Sequence, residues 1–292
     1  MVRALTDGAF KYEHPLCQYT SFGVGGSADV FVEPSGVSQL QDALRYGNEQ
    51  GLDTYVLGKG CNLLISDSGV RGMVVHLNGQ YFNRIRRKDS EVIVCGGGAS
   101  LSRLVRGAAY LELEGLETLV GVPGSVGGAV AMNAGGRYGT IGSCVRGVTA
   151  VGYDGELYHY EGDEIDFGYR TSSISNQIIL EVELELKAGS KDAILKRMWD
   201  LFSEKRKTQP LDARSAGCIF KNPKGYSAGA LIDKSGLKSS RVGDATVSCK
   251  HANFIVNLGS ATASQILELI HRIREEVKRR IGLLLDMEIK TW

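Results

Sequence analysis

The sequence predicts an α+β fold from two kinds of hydrophobic pattern. From Leu180 to Lys187, apolar residues alternate with charged ones, which is the period of two expected for an antiparallel strand with one solvated face. Near the C-terminus, apolar residues instead recur every three or four positions, and Ile266, Ile270 and Ile273 form one stripe of a helix. The half-solvated strand argues against a purely parallel sheet covered by helices on both faces.

Runs rich in β-branched and other apolar residues predict six further strands. These runs are Asp29 to Glu33, Thr54 to Leu57, Met73 to Leu77, Glu91 to Cys95, Glu156 to Tyr160 and Phe254 to Asn257. A terminal strand is also predicted, with Asp286, Glu288 and Lys290 on one face and Met287 and Ile289 on the other.

Four helices are predicted from apolar spacing and from residues that favour helix ends. They are Val37 to Gln50, stopped by Gly51; Leu101 to Glu114, with Ser100 as N-cap and Gly115 as stop; Lys191 to Arg206; and Ala263 to Arg280, where Thr262 and Gln265 form a capping box. The basic face of the last helix is more typical of a solvated surface than of an anion site.

Length and glycine content predict two domains. A chain of 292 residues is about two domains long. Its 38 glycines are concentrated before residue 188, where a strand gives way to a helix. We therefore place a domain boundary near residue 188. Because proline is not in excess, the glycine content indicates backbone packed closely against another group.

Composition argues against several classes of protein. The 34 basic and 33 acidic residues leave a net charge of +1, so no overall field would attract nucleic acid or anionic lipid. Neither an export signal nor an uncharged apolar run of about 18 residues is visible. The six cysteines include no C-x-x-C pair, which fits reduced thiols in a cytoplasm. We therefore expect a folded cytoplasmic protein.

Three glycine clusters are candidates for ligand binding: Gly58 to Asn62, Gly96 to Ser100 and Gly121 to Gly136. Consecutive backbone NH groups without bulky side chains suit a pyrophosphate, although tight turns at sheet corners have the same composition. The second cluster has Leu101 where the dinucleotide fingerprint needs a third glycine, and the first lacks the Ser or Thr of a Walker A loop. The third is denser than a hairpin requires, and Asn133 adds a donor and an acceptor, which favours a planar ligand lying against the backbone.

Three downstream residues could carry chemistry. Arg170 ends the run D-F-G-Y-R, and its guanidinium suits a carboxylate or enolate oxygen, although a surface ion pair is its commoner role. Cys218, in S-A-G-C-I-F-K-N-P, offers an S–H, although buried cysteines are usually inert. Glu288 lies on the polar face of the terminal strand, where a carboxylate is usually solvated.

In this order, the segments resemble the UDP-N-acetylenolpyruvoylglucosamine reductases (MurB), flavoenzymes of bacterial cell-wall precursor synthesis. The resemblance covers nearly the whole chain. Its motifs are T-S-F-G-V-G-G at Thr20 to Gly26, L-G-K-G-C-N-L-L at Leu57 to Leu64, G-V-R-G at Gly69 to Gly72, G-V-P-G-S-V-G-G-A-V-A-M-N-A-G at Gly121 to Gly135, Y-R at Tyr169 and Arg170, S-A-G-C-I-F-K-N-P at Ser215 to Pro223, K-H-A-N-F-I-V-N at Lys250 to Asn257 and the terminal D-M-E-I-K. Each motif alone is weak, but the ordered set is highly specific.

The resemblance implies an α+β fold in which a FAD-binding region of the p-cresol methylhydroxylase type, in two subdomains, precedes a smaller α+β substrate-binding domain. The corresponding division is 1–17 as an N-terminal segment, 18–188 as the FAD-binding region and 189–292 as the substrate-binding domain. FAD would be held noncovalently, chiefly by backbone groups of two loops. The residues implied are Gly58, Lys59, Gly60, Cys61, Asn62, Leu63, Gly121, Pro123, Gly124, Ser125, Gly127, Gly128, Asn133, Ala134 and Gly135.

The resemblance also implies the reaction. NADPH reduces the flavin, a hydride then reaches the vinyl carbon of UDP-N-acetylglucosamine enolpyruvate, and a protein acid protonates the neighbouring carbon to give UDP-N-acetylmuramate. Arg170 and a protonated Glu288 would stabilise the negative charge that develops on the carboxylate side. Cys218 stands where most members have the Ser that donates the proton.

Position in the family motifs implies five substrate-binding residues: Lys221, Asn222, Tyr226, Lys250 and Asn253. Only three residues separate the Leu180 strand from the next helix, so the chain resembles the branch that lacks a loop bearing a substrate-binding Tyr. We expect a monomer with small-molecule partners and without metal, nucleic acid or membrane. Two alternatives are a related FAD oxidase or dehydrogenase with another substrate, and a sugar-nucleotide-binding protein that has lost catalysis.

Overall fold

Residues 10–292 are described by the computed structural model of the chain. They form two compact units. Unit 1 comprises residues 10–13, 29–59 and 71–204, and unit 2 comprises residues 14–28, 60–70 and 205–292. The predicted N-terminal segment, 1–17, lies partly outside the described residues.

The helices and strands of the described residues are as follows. The α-helices are α1 (Val37–Glu49), α2 (Gln80–Asn83), α3 (Leu101–Tyr110), α4 (Val126–Ala131), α5 (Lys191–Thr208), α6 (Ala228–Lys234) and α7 (Ala263–Ile281). The strands are β1 (Phe10–Pro15), β2 (Ser27–Val32), β3 (Thr54–Leu57), β4 (Leu63–Leu64), β5 (Val70–His76), β6 (Ile85–Arg87), β7 (Val92–Gly96), β8 (Leu113–Glu114), β9 (Gly135–Gly136), β10 (Gly139–Thr140), β11 (Val145–Val151), β12 (Leu157–Glu161), β13 (Phe167–Gly168), β14 (Thr171–Ser172), β15 (Ile178–Glu185), β16 (Lys187–Ala188), β17 (Arg241–Val242), β18 (Ala245–Val247), β19 (Ile255–Asn257) and β20 (Lys290–Thr291).

The first sheet has four strands in the order β1-β2-β5-β3, and β3 runs parallel to β5. Helix α1 packs on it, because Leu40 and Leu44 lie in the same buried cluster as Val30 and Val32. This cluster is the first of two apolar cores in unit 1. Strand β3 of this sheet ends at Leu57, and the first glycine cluster begins at the next residue.

The second sheet of unit 1 has five antiparallel strands in the order β12-β11-β15-β7-β6. On β15, Leu180, Val182 and Leu184 are fully buried, whereas the Glu residues between them reach Arg84 and Lys88. The predicted antiparallel strand with one apolar face is therefore confirmed. Helices α3, α4 and α5 all contribute buried side chains to the core of this sheet.

Unit 2 is built on the antiparallel sheet β17-β18-β19 and on helices α6 and α7. The predicted capping box of α7 is confirmed, because the Thr262 hydroxyl accepts from the NH of Gln265 at 3.2 Å and the Gln265 side chain accepts from the NH of Thr262 at 3.3 Å. The stripe of Ile266, Ile270 and Ile273 is buried as predicted.

Some predicted elements were wrong in extent. Helix α3 ends at Tyr110 and does not reach Glu114. Leu113 and Glu114 instead form β8, which pairs with β16. The predicted terminal strand is reduced to a single bridge at Met287 followed by β20. Sequence analysis missed β11, α4 and α6, and the two helices each begin at a serine N-cap, Ser125 and Ser227.

Among residues 10–292, no helix is long and apolar enough to cross a membrane. No group of three or more His, Cys, Asp or Glu side chains in this part of the chain is placed to hold a metal ion. The six cysteines are free thiols.

Candidate active site

Two of the predicted ligand loops touch each other in unit 1. Gly58 follows β3, and a Cβ at this position would lie 2.3 Å from the Oγ of Ser125. Ser125 is buried, and its hydroxyl caps α4 by accepting from the NH of Gly128 at 3.3 Å. A side chain at Gly58 would therefore displace the cap of the helix in the third glycine cluster.

The second glycine cluster joins the third through backbone hydrogen bonds. The NH of Gly127 donates to the carbonyl of Gly97 at 2.7 Å, and the NH of Val126 donates to the carbonyl of Ala99 at 2.8 Å. Gly58 of the first cluster, the second cluster and the start of α4 in the third cluster are consequently neighbouring stretches of backbone in unit 1. The third cluster is not wholly a loop as predicted, because its middle residues form α4.

The glycine-rich backbone fits a ligand that is held by main-chain groups, as the resemblance implies for FAD. Gly124 has φ 134°, and a Cβ there would have no described atom within 4 Å, so bare backbone faces open space. Gly121 is also left-handed, with φ 76°. L-residues rarely adopt these φ values, which explains the need for glycine beside such a ligand.

A buried histidine, His76, contacts the first glycine cluster at Gly58. The Nδ1 of His76 lies 2.9 Å from a carboxylate oxygen of Glu33, and the ring also hydrogen-bonds the backbone of Gly58. Burial lowers the pKa of His76, the hydrogen bond to Glu33 opposes that effect, and the positive charge of Lys59 adds to it. Sequence analysis missed His76. Its signal was a polar residue at the end of an apolar strand, where it pairs with Leu57.

Arg170 occupies a strained position in a two-residue turn. The turn joins β13 to β14, and Gly168 pairs with Thr171 on either side of Tyr169 and Arg170. Arg170 has φ 58°, and Tyr169 is not in the left-handed region, which is the type II pattern that favours glycine at the second central position. A non-glycine residue costs about 1–2 kcal/mol in this conformation. Glu13, Glu112, Asn133 and Ser239 also have positive φ values, so this conformation does not by itself distinguish Arg170.

The side chain of Asn133 bonds to protein groups on both sides. Its Nδ2 donates to the carbonyl of Gly168 at 3.0 Å, and its Oδ1 accepts from the NH of Gly142 at 3.2 Å. The residue is 7% exposed. The donor thus connects the third glycine cluster to the hairpin that carries Arg170, and the acceptor connects it to Gly142.

In unit 2, the segment that begins at Cys218 pairs with two other stretches of the chain, one on each side. Cys218 forms an antiparallel bridge with Phe254, and Phe220 forms one with Met287. The NH of Glu288 donates to the carbonyl of Ile219 at 2.8 Å. The structure therefore brings the backbones that carry Cys218 and Glu288 side by side, and both residues are half-buried.

The second half of the first glycine cluster lies in unit 2, next to the same terminal segment. Asn62 donates from its Nδ2 to the carbonyl of Glu288 at 3.1 Å, and Leu63 pairs with Lys290 in the parallel strands β4 and β20. Gly60 has φ 59°, and a Cβ there would lie 1.9 Å from the carbonyl oxygen of Tyr19. Glycine is therefore obligatory at this position.

The five predicted substrate-binding residues differ in their surroundings. Tyr226 is 56% exposed and Lys221 is half-buried. The Oδ1 of Asn222 accepts from the NH of Ala228 at 2.9 Å, at the start of α6, and the Nζ of exposed Lys250 donates to the carbonyl of Arg206. Asn253 is 2% exposed, and both polar atoms of its side chain bond to the backbone of Phe220.

Comparison with known proteins covers almost the whole chain. A family model described as FAD binding domain matches residues 28–161, and a model described as UDP-N-acetylenolpyruvoylglucosamine reductase, C-terminal domain, matches residues 209–292. UDP-N-acetylenolpyruvoylglucosamine reductase 2 from Symbiobacterium thermophilum is 43% identical over 287 residues, which cover 98% of this chain and 92% of that protein. The chain belongs to the UDP-N-acetylenolpyruvoylglucosamine reductase family.

A second relative and a solved structure agree with this assignment. The reductase from Heliobacterium modesticaldum is 40% identical over 287 residues, covering 97% of this chain and 91% of that protein. The crystal structure of UDP-N-acetylenolpyruvylglucosamine reductase (MurB) from Thermus caldophilus is 39% identical, with a TM-score of 0.83 over 97% of this chain and 98% of that one. Together with the FAD-binding match, this confirms the predicted fold class: a FAD-binding region of the p-cresol methylhydroxylase type and a smaller α+β domain.

Proposed function

We propose that this reductase family member reduces UDP-N-acetylglucosamine enolpyruvate to UDP-N-acetylmuramate, with FAD as cofactor and NADPH as hydride donor, in peptidoglycan precursor synthesis. The observation that carries the proposal is the similarity of 98% of the chain, at 43% identity, to a reductase of that name. The match of residues 209–292 to the reductase C-terminal domain favours this substrate over that of another FAD oxidase or dehydrogenase.

We assign one ligand to each of the two predicted domains. Residues 18–188 bind FAD and residues 189–292 bind the sugar nucleotide, and the family matches at 28–161 and 209–292 support this because each falls inside one predicted domain. The backbone of Gly58, Gly121 and Gly124 would hold FAD, and the FAD-binding residues named from the resemblance belong to the same loops. When bound and reduced by NADPH, FAD supplies the hydride.

Arg170 is proposed to bind the carboxylate end of the enolpyruvyl group. Hydride addition to the vinyl carbon moves negative charge onto that carboxylate, so a fixed cation there is worth more in the transition state than in the ground state. The guanidinium cannot lose its proton at neutral pH and presents a rigid fork of donors. The short turn between β13 and β14 supports this role because it fixes the backbone from which the side chain of Arg170 extends.

Cys218 is proposed to donate the proton to the neighbouring carbon, and Glu288 to share the stabilisation of charge in its protonated form. A thiol has an ordinary pKa of about 8.5 and is a stronger acid than an alcohol, so it can replace the usual Ser as donor. A carboxylate beside an anionic substrate would repel it, and that repulsion favours the protonated acid. The antiparallel pairing of their backbones, joined by the hydrogen bond between Ile219 and Glu288, supports a common site for these two groups.

We further propose a cytoplasmic monomer. NADPH and nucleotide sugars are cytoplasmic metabolites, and the six free thiols fit a reducing compartment. Every proposed role is filled by a residue of one chain. Light scattering on purified protein would test the monomer.

The deciding experiment separates the two halves of the reaction. The purified protein is made anaerobic, its flavin is bleached with NADPH, and the enolpyruvyl sugar nucleotide is added. We expect the oxidised flavin spectrum to return as the lactyl product forms. A flavin that bleaches and ignores this substrate would contradict the proposal and indicate another electron acceptor. A protein that takes up no flavin on reconstitution would instead indicate a noncatalytic sugar-nucleotide binder.

A further inference from the structure

Asn253 is almost completely buried beside the segment that begins at Cys218. Its Oδ1 accepts from the NH of Phe220 at 3.0 Å, its Nδ2 donates to the carbonyl of Phe220 at 2.8 Å, and its backbone carbonyl accepts from the NH of Ile219 at 2.8 Å. With the residue 2% exposed, water does not compete for these bonds. One residue thus fixes three peptide groups directly after Cys218.

The same segment holds the terminal chain on its other side. The carbonyl of Ile219 accepts from the NH of Glu288, and the NH of Lys221 donates to the carbonyl of Asp286, both at 2.8 Å. A shift of the segment away from Asn253 would therefore move the backbones of both Cys218 and Glu288. The side-chain amide of Asn presents an N–H donor beside a carbonyl acceptor, as a peptide group does, so here it takes the place of a strand partner.

We propose that Asn253 is a positioning residue that aligns the Cys218 thiol for proton delivery and does not touch the substrate. The inference deepens the proposed function and rests on the donor role of Cys218. It replaces the substrate contact predicted for Asn253 from the resemblance, because both polar groups of the side chain are bonded to Phe220.

The first test is the rate of each half-reaction in Asn253→Ala. Loss of the amide frees the Cys218 segment, and a misplacement of about 1 Å at a reacting group can slow a reaction by about 100-fold. We expect reoxidation of the reduced flavin by the enolpyruvyl substrate to slow by at least about tenfold, whereas reduction by NADPH stays within about twofold of wild type. Equal slowing of both half-reactions would overturn the proposal.

Asn257 offers a matched control four residues along the same segment. It is also buried, at 5% exposure, and its side chain bonds to the carbonyl of Phe22 at 2.8 Å and to the NH groups of Gly259 and Ala261 at 2.8 and 3.0 Å. Asn257→Ala therefore removes a comparable set of buried bonds without releasing the Cys218 segment. We expect it to lower stability and leave the ratio of the two half-reaction rates unchanged. A changed ratio in this variant would contradict a specific role for Asn253.

A double-mutant comparison and a chemical probe complete the test. In a Cys218→Ala background, Asn253→Ala should slow reoxidation by no more than about twofold further, since the group that it aligns is gone. The rate at which iodoacetamide alkylates Cys218 in the resting protein, followed by mass spectrometry of its peptide, should change several-fold in Asn253→Ala and not in Asn257→Ala. If Cys218→Ala alone reoxidises at the wild-type rate, the proposed donor role fails, and the alkylation rates still decide whether Asn253 positions this thiol. Unchanged alkylation in Asn253→Ala would overturn the inference.

Discussion

The side chain of Asn133 donates a hydrogen bond to the carbonyl of Gly168 at 3.0 Å, and Gly168 lies two residues before Arg170. Asn133 belongs to the third glycine cluster, so one buried amide connects the backbone proposed to hold FAD with the turn proposed to hold the substrate carboxylate. A second bond, from the hydroxyl of Ser172 to the carbonyl of Ala131 at 3.1 Å, ties the other strand of the hairpin to the end of α4. The two bonds thereby hold both strands that flank Arg170 against the glycine-rich region.

Two substitutions of Arg170 should have the same effect on catalysis and different effects on stability. Arg170→Gly and Arg170→Ala both remove the guanidinium, and we expect each to slow flavin reoxidation by about 100-fold or more, as for loss of one oxyanion-stabilising group. Glycine adopts φ 58° without the cost that alanine meets, so Arg170→Gly should be about 1 kcal/mol more stable than Arg170→Ala in urea unfolding. Near-normal turnover in Arg170→Gly would show that the guanidinium is not needed for catalysis and would contradict the proposed role of Arg170.

Gly58→Ala should lower the flavin content of the purified protein. The added Cβ would lie 2.3 Å from the Oγ of Ser125, and moving this hydroxyl removes the cap of α4, worth about 1 kcal/mol. Both loops proposed to hold FAD would shift. Gly107→Ala, in α3 and outside the three glycine clusters, is the matched control, because a Cβ there meets nothing within 4 Å. The ratio of flavin to protein absorbance measures the effect, and equal flavin content in the two variants would refute the loop assignment.

Much of the fold could be predicted because its signals are local. The alternation around Leu180 and the capping box of Thr262 with Gln265 each lie within one element, and the structure confirms both. Helix α4 could not be predicted in the same way, since V-G-G-A-V-A contains poor helix formers. It forms because Ser125 caps it and because Val126 and Val130 are buried in the core of the second sheet, which depends on residues far away in the chain.

The candidate site was harder to predict for a related reason. A motif indicates that Asn133 or Asn253 matters, but a buried amide can face a ligand or a peptide group with the same residue type. The peptide groups that these two amides bond to lie 35 residues from Asn133, at Gly168, and 33 residues from Asn253, at Phe220. Only the folded backbone brings them together. His76 was missed because its one signal, a polar residue at the end of an apolar strand, does not indicate which groups it contacts.

The stability of the protein should fall as the pH is lowered from 7 to 5, and His76 should contribute to that fall. Burial lowers the pKa of His76, so the unfolded chain takes up a proton below about 6.5 that the folded protein resists. The free energy of unfolding therefore decreases with pH in that range. Burial opposes ionisation of Glu33, but bonds from His76 and Lys11 hold its pKa below the usual value, which extends the loss below about 4.3.

Urea unfolding at pH 7 and pH 5 measures this contribution. In His76→Gln the decrease between the two pH values should be smaller than in wild type. The exposed His159 provides the control, and His159→Gln should keep the wild-type decrease. An unchanged decrease in His76→Gln would mean that other groups control the acid sensitivity.

Replacement of Cys218 should reveal the proton donor through its pH dependence. Cys218→Ala should leave reduction of the flavin by NADPH nearly intact and slow reoxidation by about 100-fold or more, the usual contribution of a general acid. Cys218→Ser should retain substantial activity. Since a thiolate cannot donate a proton and a thiol is a stronger acid than an alcohol, reoxidation in the wild type should fall with rising pH at a lower pH than in the serine variant. Stopped-flow reoxidation rates from pH 6 to 10 measure the difference, and coincident profiles for the two proteins would exclude Cys218 as the donor.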